Sequence, residues 1–501
     1  MTAPSIGPSA APARPLSPAP TRRSPWMLRL LVLIVLLVSA VSAIFLVLKK
    51  AGVAPRRLAP YIEQRAAGHN RTIVAFGHWL GRTLLENDRG PAYVARPIAL
   101  PVGAHPGGAD GAPVTATAVA GGSRIVPVAS EEAALAALAA ARPGDVIVFA
   151  PGTYLFRKPY LELRTAGAPD APITVRAAVA GTVTLELDTN EGFLVSAPYW
   201  RFENLVVKGI CRDDGACEHA FHVVGKASHF TARNNTISDF NAHFKINGVD
   251  GSFPDDGLID GNTLTNTRIR MTDSPVTLID LVAARNWVIR RNLLTDFIKG
   301  DGDRISYGAY AKGAGGNNLF ENNIVICEYL LRSPAGARVG LSLGGGGTGP
   351  AYCRDGRCGV EQDGSAIRGN LIASCSDDGI YLNRASASRI VHNTLVDTGG
   401  IAVRFKETSA DLEGNLVDGM IHARDGATLR EADDVSTSAA RLFLGSHPVR
   451  RLLGNTARPP FGGSIPRRPA STQQLAPDLC SGRPRTRPAY GAFDDFHGCM
   501  P

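Results

Sequence analysis

Apolar and polar positions alternate along this chain in three successive textures. Residues 30–48, LLVLIVLLVSAVSAIFLVL, are nineteen residues without a charge, enough at about 1.5 Å per residue to cross a bilayer as one helix. Residues 59–88 carry apolar residues at helical spacing and predict an amphipathic helix. SEEAALAALAAAR at 130–142 predicts another helix, with Ser130 as N-cap, an acidic first turn and Pro143-Gly144 as its stop. From Asp145 the period shortens. Runs such as VIVFAPGTYLF, ITVRAA and VTLEL predict short strands separated by turns. The expected organisation is a disordered cytoplasmic tail over 1–25, a transmembrane signal-anchor over 26–50 (with a signal peptide cleaved after VSA at 41–43 as the alternative), a juxtamembrane helix and linker over 51–123, and a β domain with a C-terminal tail over 124–501.

Repetition then sets the fold class. An asparagine heads an apolar segment at Asn204, Asn235, Asn262, Asn292, Asn323, Asn370, Asn393 and Asn415, with spacings of 31, 27, 30, 31, 47, 23 and 22 residues. The shortest spacing suits one coil of a three-sided β-solenoid, and the longer ones the same coil with a loop inserted. An asparagine at a fixed turn position tolerates left-handed backbone and stacks its amide on the next coil. A leucine-rich horseshoe also carries periodic asparagines, but its leucines at fixed offsets are missing here. The pattern resembles the right-handed parallel β-helix of the pectate-lyase-like superfamily. PGTYLF followed by APDAPITVRAA is similar to the first coils of polysaccharide lyases of the chondroitinase-B and alginate-lyase type, and DLCSGRPRTRPAYGAF to the closing coil of bacterial members. The resemblance spans roughly residues 124–496 and implies an all-β domain with an N-terminal capping helix. It also implies a lysine base, an arginine and, in many relatives, calcium held by acidic residues. Calcium is therefore the one cofactor expected, although no metal-ligating set is recognised in the residues themselves.

Strand parity points to a working face, because side chains alternate between the two sides of a strand. Counting back from the asparagines places Asn247, Asp280, Lys312, Gly344, Asn383 and Arg404 in one outward column. Lys245, Tyr310, Ser342, Tyr381 and Ala402 form a second column two residues earlier. The run GGGGTG from Gly344 leaves a groove floor without side chains beside Lys312. Lysine and arginine pair carboxylates, and tyrosine adds a stacking face and a hydroxyl, so the face suits an acidic sugar chain. For β-elimination of a uronate, Lys312 is the candidate base, Tyr310 or Tyr381 the acid, and Arg404 or Lys245 the group that neutralises the carboxylate. Lys245, Asn247, Asp280, Asn383, Arg384 and Lys406 are the candidate substrate-binding residues. A hydrolase would instead use paired carboxylates, for which Asp377 and Asp378 are available. The N-T-D and G-H-G segments of polygalacturonases are absent. Glu328, Glu361, Asp363 and His392 are further polar candidates, His392 as a turn residue.

Charge and cysteine content narrow the setting. The net charge of +8 is modest. With no DNA- or RNA-binding motif, the expected partners are an acidic polysaccharide and the inner membrane rather than nucleic acid. Eight cysteines fit an oxidising compartment, and Cys211–Cys217 and Cys353–Cys358 close short polar loops as expected disulfides. Cys480 and Cys499 are placed to staple the tail, and Cys327 and Cys375 read as core. The expectation is a single-pass inner-membrane protein whose β-helix lies in the periplasm or outside the cell. It would bind and cleave an acidic polysaccharide by β-elimination. The alternatives are a non-catalytic glycan-binding scaffold, a hydrolase or an epimerase.

Overall fold

A computed structural model of the protein describes residues 25–90, 102–105, 123–333, 335–345, 347–453, 465, 474–486 and 488–499. The expected cytoplasmic tail and most of the linker over 89–123 lie outside the described residues. The chain divides into two units after Lys50. The first is the helix Pro25–Lys50, which is long and apolar enough over Trp26–Lys50 to cross a membrane by length and composition.

The second unit is a right-handed parallel β-helix with three faces. One face runs from Arg124–Val128 through Asp145–Phe149, Ile173–Ala177 and Trp200–Glu203 to Ser409–Val417 and Thr428–Ser436. A second runs from Gly152–Phe156 to Thr394–Val396 and then joins the first through Ser409–Val417. The third holds ten strands, from Leu161–Leu163 to Met420–Arg424. Each strand pairs in parallel with its equivalent one coil away, as in Phe221 with Phe244 and Phe244 with Ile279. Strands of three to five residues suffice because each is flanked by others and needs only one or two inward side chains. Those side chains stack along the axis: Phe193, Phe221 and Phe244 have successive ring centroids 5.2 Å apart. Burying such a side chain is worth about 1.5–3 kcal/mol, which repeated over the coils offsets the cost of ordering so many turns.

The asparagine ladder is present from Asn235 onward. Each amide oxygen accepts the backbone N–H of the preceding coil's asparagine, at 2.9 Å from Asn235 to Asn262, 3.0 Å from Asn292 to Asn323 and 2.8 Å from Asn323 to Asn370. Each Nδ2 donates to a backbone carbonyl one coil back, as Asn323 does to Ile289 at 2.9 Å. Asp434 takes over as acceptor for Asn415 at the C-terminal end. Two details differ from expectation. The left-handed residue is not the ladder asparagine but the one before it: Asn234, Arg291, Asn322 and His392 all have φ near +54°. The preceding residue makes the corner, so the ladder residue can keep its amide inside. Asn204 is one such corner residue (φ 62°), bonded to Asn234, and Leu205 holds the ladder position.

The expected helix over 59–88 is two helices, Pro55–Ala66 and Arg71–Arg89. Gly68 (φ +84°) breaks the run, and Asn70 restarts it as an N-cap accepting from Ile73 N at 3.0 Å. The hairpin closes tightly because Gly77 packs on Ala66, where an added Cβ would lie 2.4 Å from the Ala66 methyl. Helix Glu131–Ala139 covers the N-terminal coil, with Ser130 accepting from Ala133 N as expected. Four disulfides are formed. Cys211–Cys217, Cys353–Cys358 and Cys480–Cys499 follow expectation. Cys327 and Cys375 are bonded to each other rather than being free core thiols. They sit on equivalent turns of neighbouring coils, a proximity that a 48-residue separation hides.

Candidate active site

Residue by residue, the ten-stranded face fixes the register that counting could only approximate. Lys245 pairs with Asp280, Asp280 with Tyr310, Tyr310 with Ser342, Ser342 with Tyr381 and Tyr381 with Ala402. Asp280 therefore stands in the Lys245–Tyr310 column, not beside Asn247. Its place in the other column is taken by Val282, which pairs with Lys312. The inserted residues between Asn247 and Val276 shift the count, which explains the offset. Asn383 pairs with Arg404, and Arg404 with Arg424.

The centre of the face is a packed charge cluster. Lys245 Nζ donates to Asp280 Oδ2 at 2.6 Å. Lys312 Nζ lies 4.4 Å from the centroid of the Tyr310 ring and has no carboxylate partner within ion-pair distance among the described residues. Tyr307 meets Tyr310 edge-to-face with centroids 5.3 Å apart. Two residues three apart on a strand ordinarily face opposite ways. Here Gly308 lies between them and faces inside, where an added Cβ would meet Val325 and Phe297. Burial works to raise the Asp280 pKa, but Lys245 and Lys312 outweigh it and hold it below the ordinary carboxylate value. Burial and the Asp280 charge push the Tyr310 phenol well above 10, and burial pushes Tyr307 up to about 12. Burial lowers the Lys312 pKa from 10.5, opposed by Asp280 and reinforced by Lys245. A lysine eased toward its neutral form thus sits against a phenol held in its protonated form.

The walls come from inserted loops. Gly344 (φ +69°) is demanded twice, by its left-handed backbone and by Asn383 O, which an added Cβ would overlap. Gly345 lies against the Lys312 stem, its virtual Cβ 3.4 Å from Cδ. The loop continues to Cys353–Cys358, and Arg354 N returns to Gly313 O at 2.9 Å. Glu361 accepts from Gly313 N and Thr348 Oγ1, both at 2.9 Å, and so holds this loop over the strand end. Asp363 accepts from Ser386.

Further along the face, Asn383 Nδ2 donates to Tyr381 Oη at 3.1 Å. Arg404 is paired with Asp425 and lies 4.5 Å over the Phe405 ring. Arg384 occupies the corner after its strand, its guanidinium 5.7 Å from the same ring, and Lys406 is exposed in the next turn. Three coils separate Lys312 from Arg404, about 14 Å at 4.8 Å per strand, too far for both to act at one bond.

The acidic candidates elsewhere are held by the helical hairpin. Arg57 bonds Asp377 at 2.8 Å and also Asp378. Arg89 reaches Glu328 at 3.1 Å, and buried Arg338 reaches it from the other side at 2.6 Å. His392 is buried in its corner and contacts Ala489 O through Nδ1 at 3.2 Å. Sequence reasoning missed Tyr307, whose signal was the glycine of YGAY. It also missed a histidine pair beside Lys245. His222 pairs with Lys245 in register and lies with His219 and Glu191 as a compact group of possible metal ligands. Burial, with His222 and Lys245 close by, lowers the His219 pKa to about 3.

The calcium expected from the resemblance does not fit the centre of the face. Calcium takes six to eight oxygen ligands. Asp280 is already bonded to one ammonium and lies next to another, and Glu361 is bonded to an N–H and a hydroxyl. A dication there would face Lys245 and Lys312, so no step is derived through calcium.

The domain is a parallel β-helix that carries an outward lysine–tyrosine–aspartate cluster on its ten-stranded face. No family model and no curated protein matches the chain. Among solved structures it is similar to the pectate lyase Pel9A at 17% identity, covering 72% of this chain and 90% of that one with a TM-score of 0.47. It is also similar to an alginate lyase from Paenibacillus sp. str. FPU-7, at 17% identity, 62% and 99% coverage and a TM-score of 0.37. A rhamnogalacturonan lyase follows at 12% identity, 58% and 80% coverage and a TM-score of 0.38. At these scores no residue role passes from those proteins to this chain.

Proposed function

We propose that the protein binds an acidic, uronate-containing polysaccharide along the ten-stranded face and cleaves it by β-elimination. The observation that carries the reading is the Lys312–Tyr310 pair: a lysine whose pKa burial lowers, packed 4.4 Å from a phenol that stays protonated. Neutral Lys312 takes the C5 proton of a uronate. The C5 electron pair forms the C4=C5 double bond as the C4–O4 bond breaks, and Tyr310 gives its proton to O4. Proton exchange with solvent then resets both groups. Lys245 neutralises the C6 carboxylate as the C5 carbanion develops, and its hydrogen bond to Asp280 holds the ammonium in place. Tyr381, Asn383 and Arg404 form the next subsite, binding a second carboxylate by charge-assisted hydrogen bonds.

The apolar helix Trp26–Lys50 and the four disulfides support a single-pass anchor with the β-helix outside the cytoplasm. The full chain in detergent should be incubated with a panel of uronate polymers. The reading expects chain shortening, with unsaturated uronates that absorb in the near ultraviolet. Retention of a polymer without shortening would establish a binding protein in its place, and shortening without unsaturation a hydrolase.

A further inference from the structure

We propose that Glu191, His219 and His222 form a binding site for one divalent transition-metal ion of the zinc class. Each residue offers one ligand atom, and these atoms lie within 4.8 Å of one another. Two chain segments bring them together. Glu191 sits in the turn before strand Phe193–Val195, and His219 and His222 belong to the neighbouring strand His219–Val224.

The hydrogen bonds around His222 decide its tautomer. Asn247 Nδ2 donates to Gly248 O at 3.2 Å, which turns Asn247 Oδ1 toward His222 Nε2 at 2.8 Å. Nε2 therefore carries the hydrogen and Nδ1 presents a lone pair. That lone pair faces Glu191 Oε2 at 3.2 Å, acceptor against acceptor. His222 Nδ1 and His219 Nδ1 are both buried without a hydrogen-bond partner. His222 Nδ1 and Glu191 Oε2 are then two electron-pair donors with no hydrogen between them, and with the His219 ring beside them they call for a cation. A ring N–H bonded to a second residue is the usual support for a metal-ligating histidine. Two imidazoles and a carboxylate match the three-protein-ligand zinc set, which leaves a fourth position open, whereas calcium prefers an all-oxygen shell. The Asp280 carboxylate, bonded to Lys245 at 2.6 Å, offsets part of the charge that this lysine brings near the site.

The competing occupant is a proton, which would make His222 an imidazolium paired with Glu191. The full-length protein, stripped of metal in detergent, should be titrated with Zn2+ by calorimetry and with Co2+ by visible absorption. One equivalent of each is expected, with the intense bands of four-coordinate cobalt, and with Ca2+ failing to compete. His219→Gln with His222→Gln should weaken Zn2+ binding by more than about a hundredfold, and Asn247→Ala by about ten- to a hundredfold, the share of a supporting hydrogen bond. Circular dichroism would show that the coils are intact. Should the double variant fail to fold, the wild-type cobalt spectrum and Asn247→Ala decide. Absence of stoichiometric binding at micromolar metal, or unchanged affinity in the variants, would overturn the site. So would a nitrogen NMR spectrum of doubly protonated His222 that zinc does not alter.

Discussion

Two clusters of buried charge belong to the same β-helix and have opposite characters. Around Arg56 and Arg57 each charged side chain has an ionic partner. Arg56 is almost fully buried and bonds Asp88 twice at 2.9 Å, Asp397 at 3.1 Å and the carbonyl of Cys375 at 2.8 Å. Arg57 covers Asp377 and Asp378. Around Lys312 the balance is left incomplete: two ammonium groups share one carboxylate, and the second rests on an aromatic face. A cluster built for folding satisfies every charge, because an unpaired buried ion costs several kcal/mol. A cluster that keeps an ion unsatisfied at an open groove is placed to act on something else. The difference sets the paired acidic residues apart from the lysine and tyrosines proposed to act.

The comparison can be broken first through stability. Arg56→Ala strands Asp88 in the hairpin, while Asp397 keeps Arg89, and should cost about 3–5 kcal/mol, the range for removing one partner of a buried pair. It would be read as a lowered midpoint in denaturant unfolding of the full chain. Lys312→Ala should leave that midpoint nearly unmoved. Equal losses from the two would erase the distinction between the clusters.

A smaller effect sharpens it through pH. Catalysis by Lys312 requires the neutral amine, so turnover should rise with pH along a limb whose midpoint lies below 10.5, because burial lowers that pKa. Tyr310 must stay protonated, and its pKa is raised well above 10, so the falling limb lies beyond the rising one. Asp280 is a charge that raises the Lys312 value. Asp280→Asn should therefore move the rising limb to lower pH. A pH–rate profile of the variant whose limb stays put or moves upward would remove Lys312 from the role of base.

How much of this was readable before the structure depends on how local the cause was. The ladder asparagines recur at turn positions set by the coil itself, so Asn235 to Asn415 were readable one after another. Lys312 and Tyr310 were readable as outward neighbours because they lie two apart on an unbroken strand. Asp280 was misplaced by one column because an insertion before Val276 changes the count without leaving a mark in the local pattern. Tyr307 was hidden because Gly308 and Ala309 are both inside, which breaks the alternation. His219 and His222, three apart on one strand, should face opposite sides by parity, and Glu191 comes from another coil. The capping of Asp377 by Arg57 joins residues 320 apart in the chain, and nothing local to either announces it.

The central claim rests on Lys312, and the direct measurement is the release of unsaturated uronate by Lys312→Ala on whichever polymer the wild-type chain shortens, with binding followed in parallel. Turnover at saturation should fall by about a hundredfold or more, the usual share of a general base. Polymer affinity should hold within a few fold, because Lys245, Arg404 and the tyrosines remain. Asn323→Ala serves as the control. It should lower the unfolding midpoint by about 1–3 kcal/mol through unsatisfied ladder groups, and its folded fraction should keep wild-type turnover. Full activity in folded Lys312→Ala would contradict the account and move the chemistry away from this face.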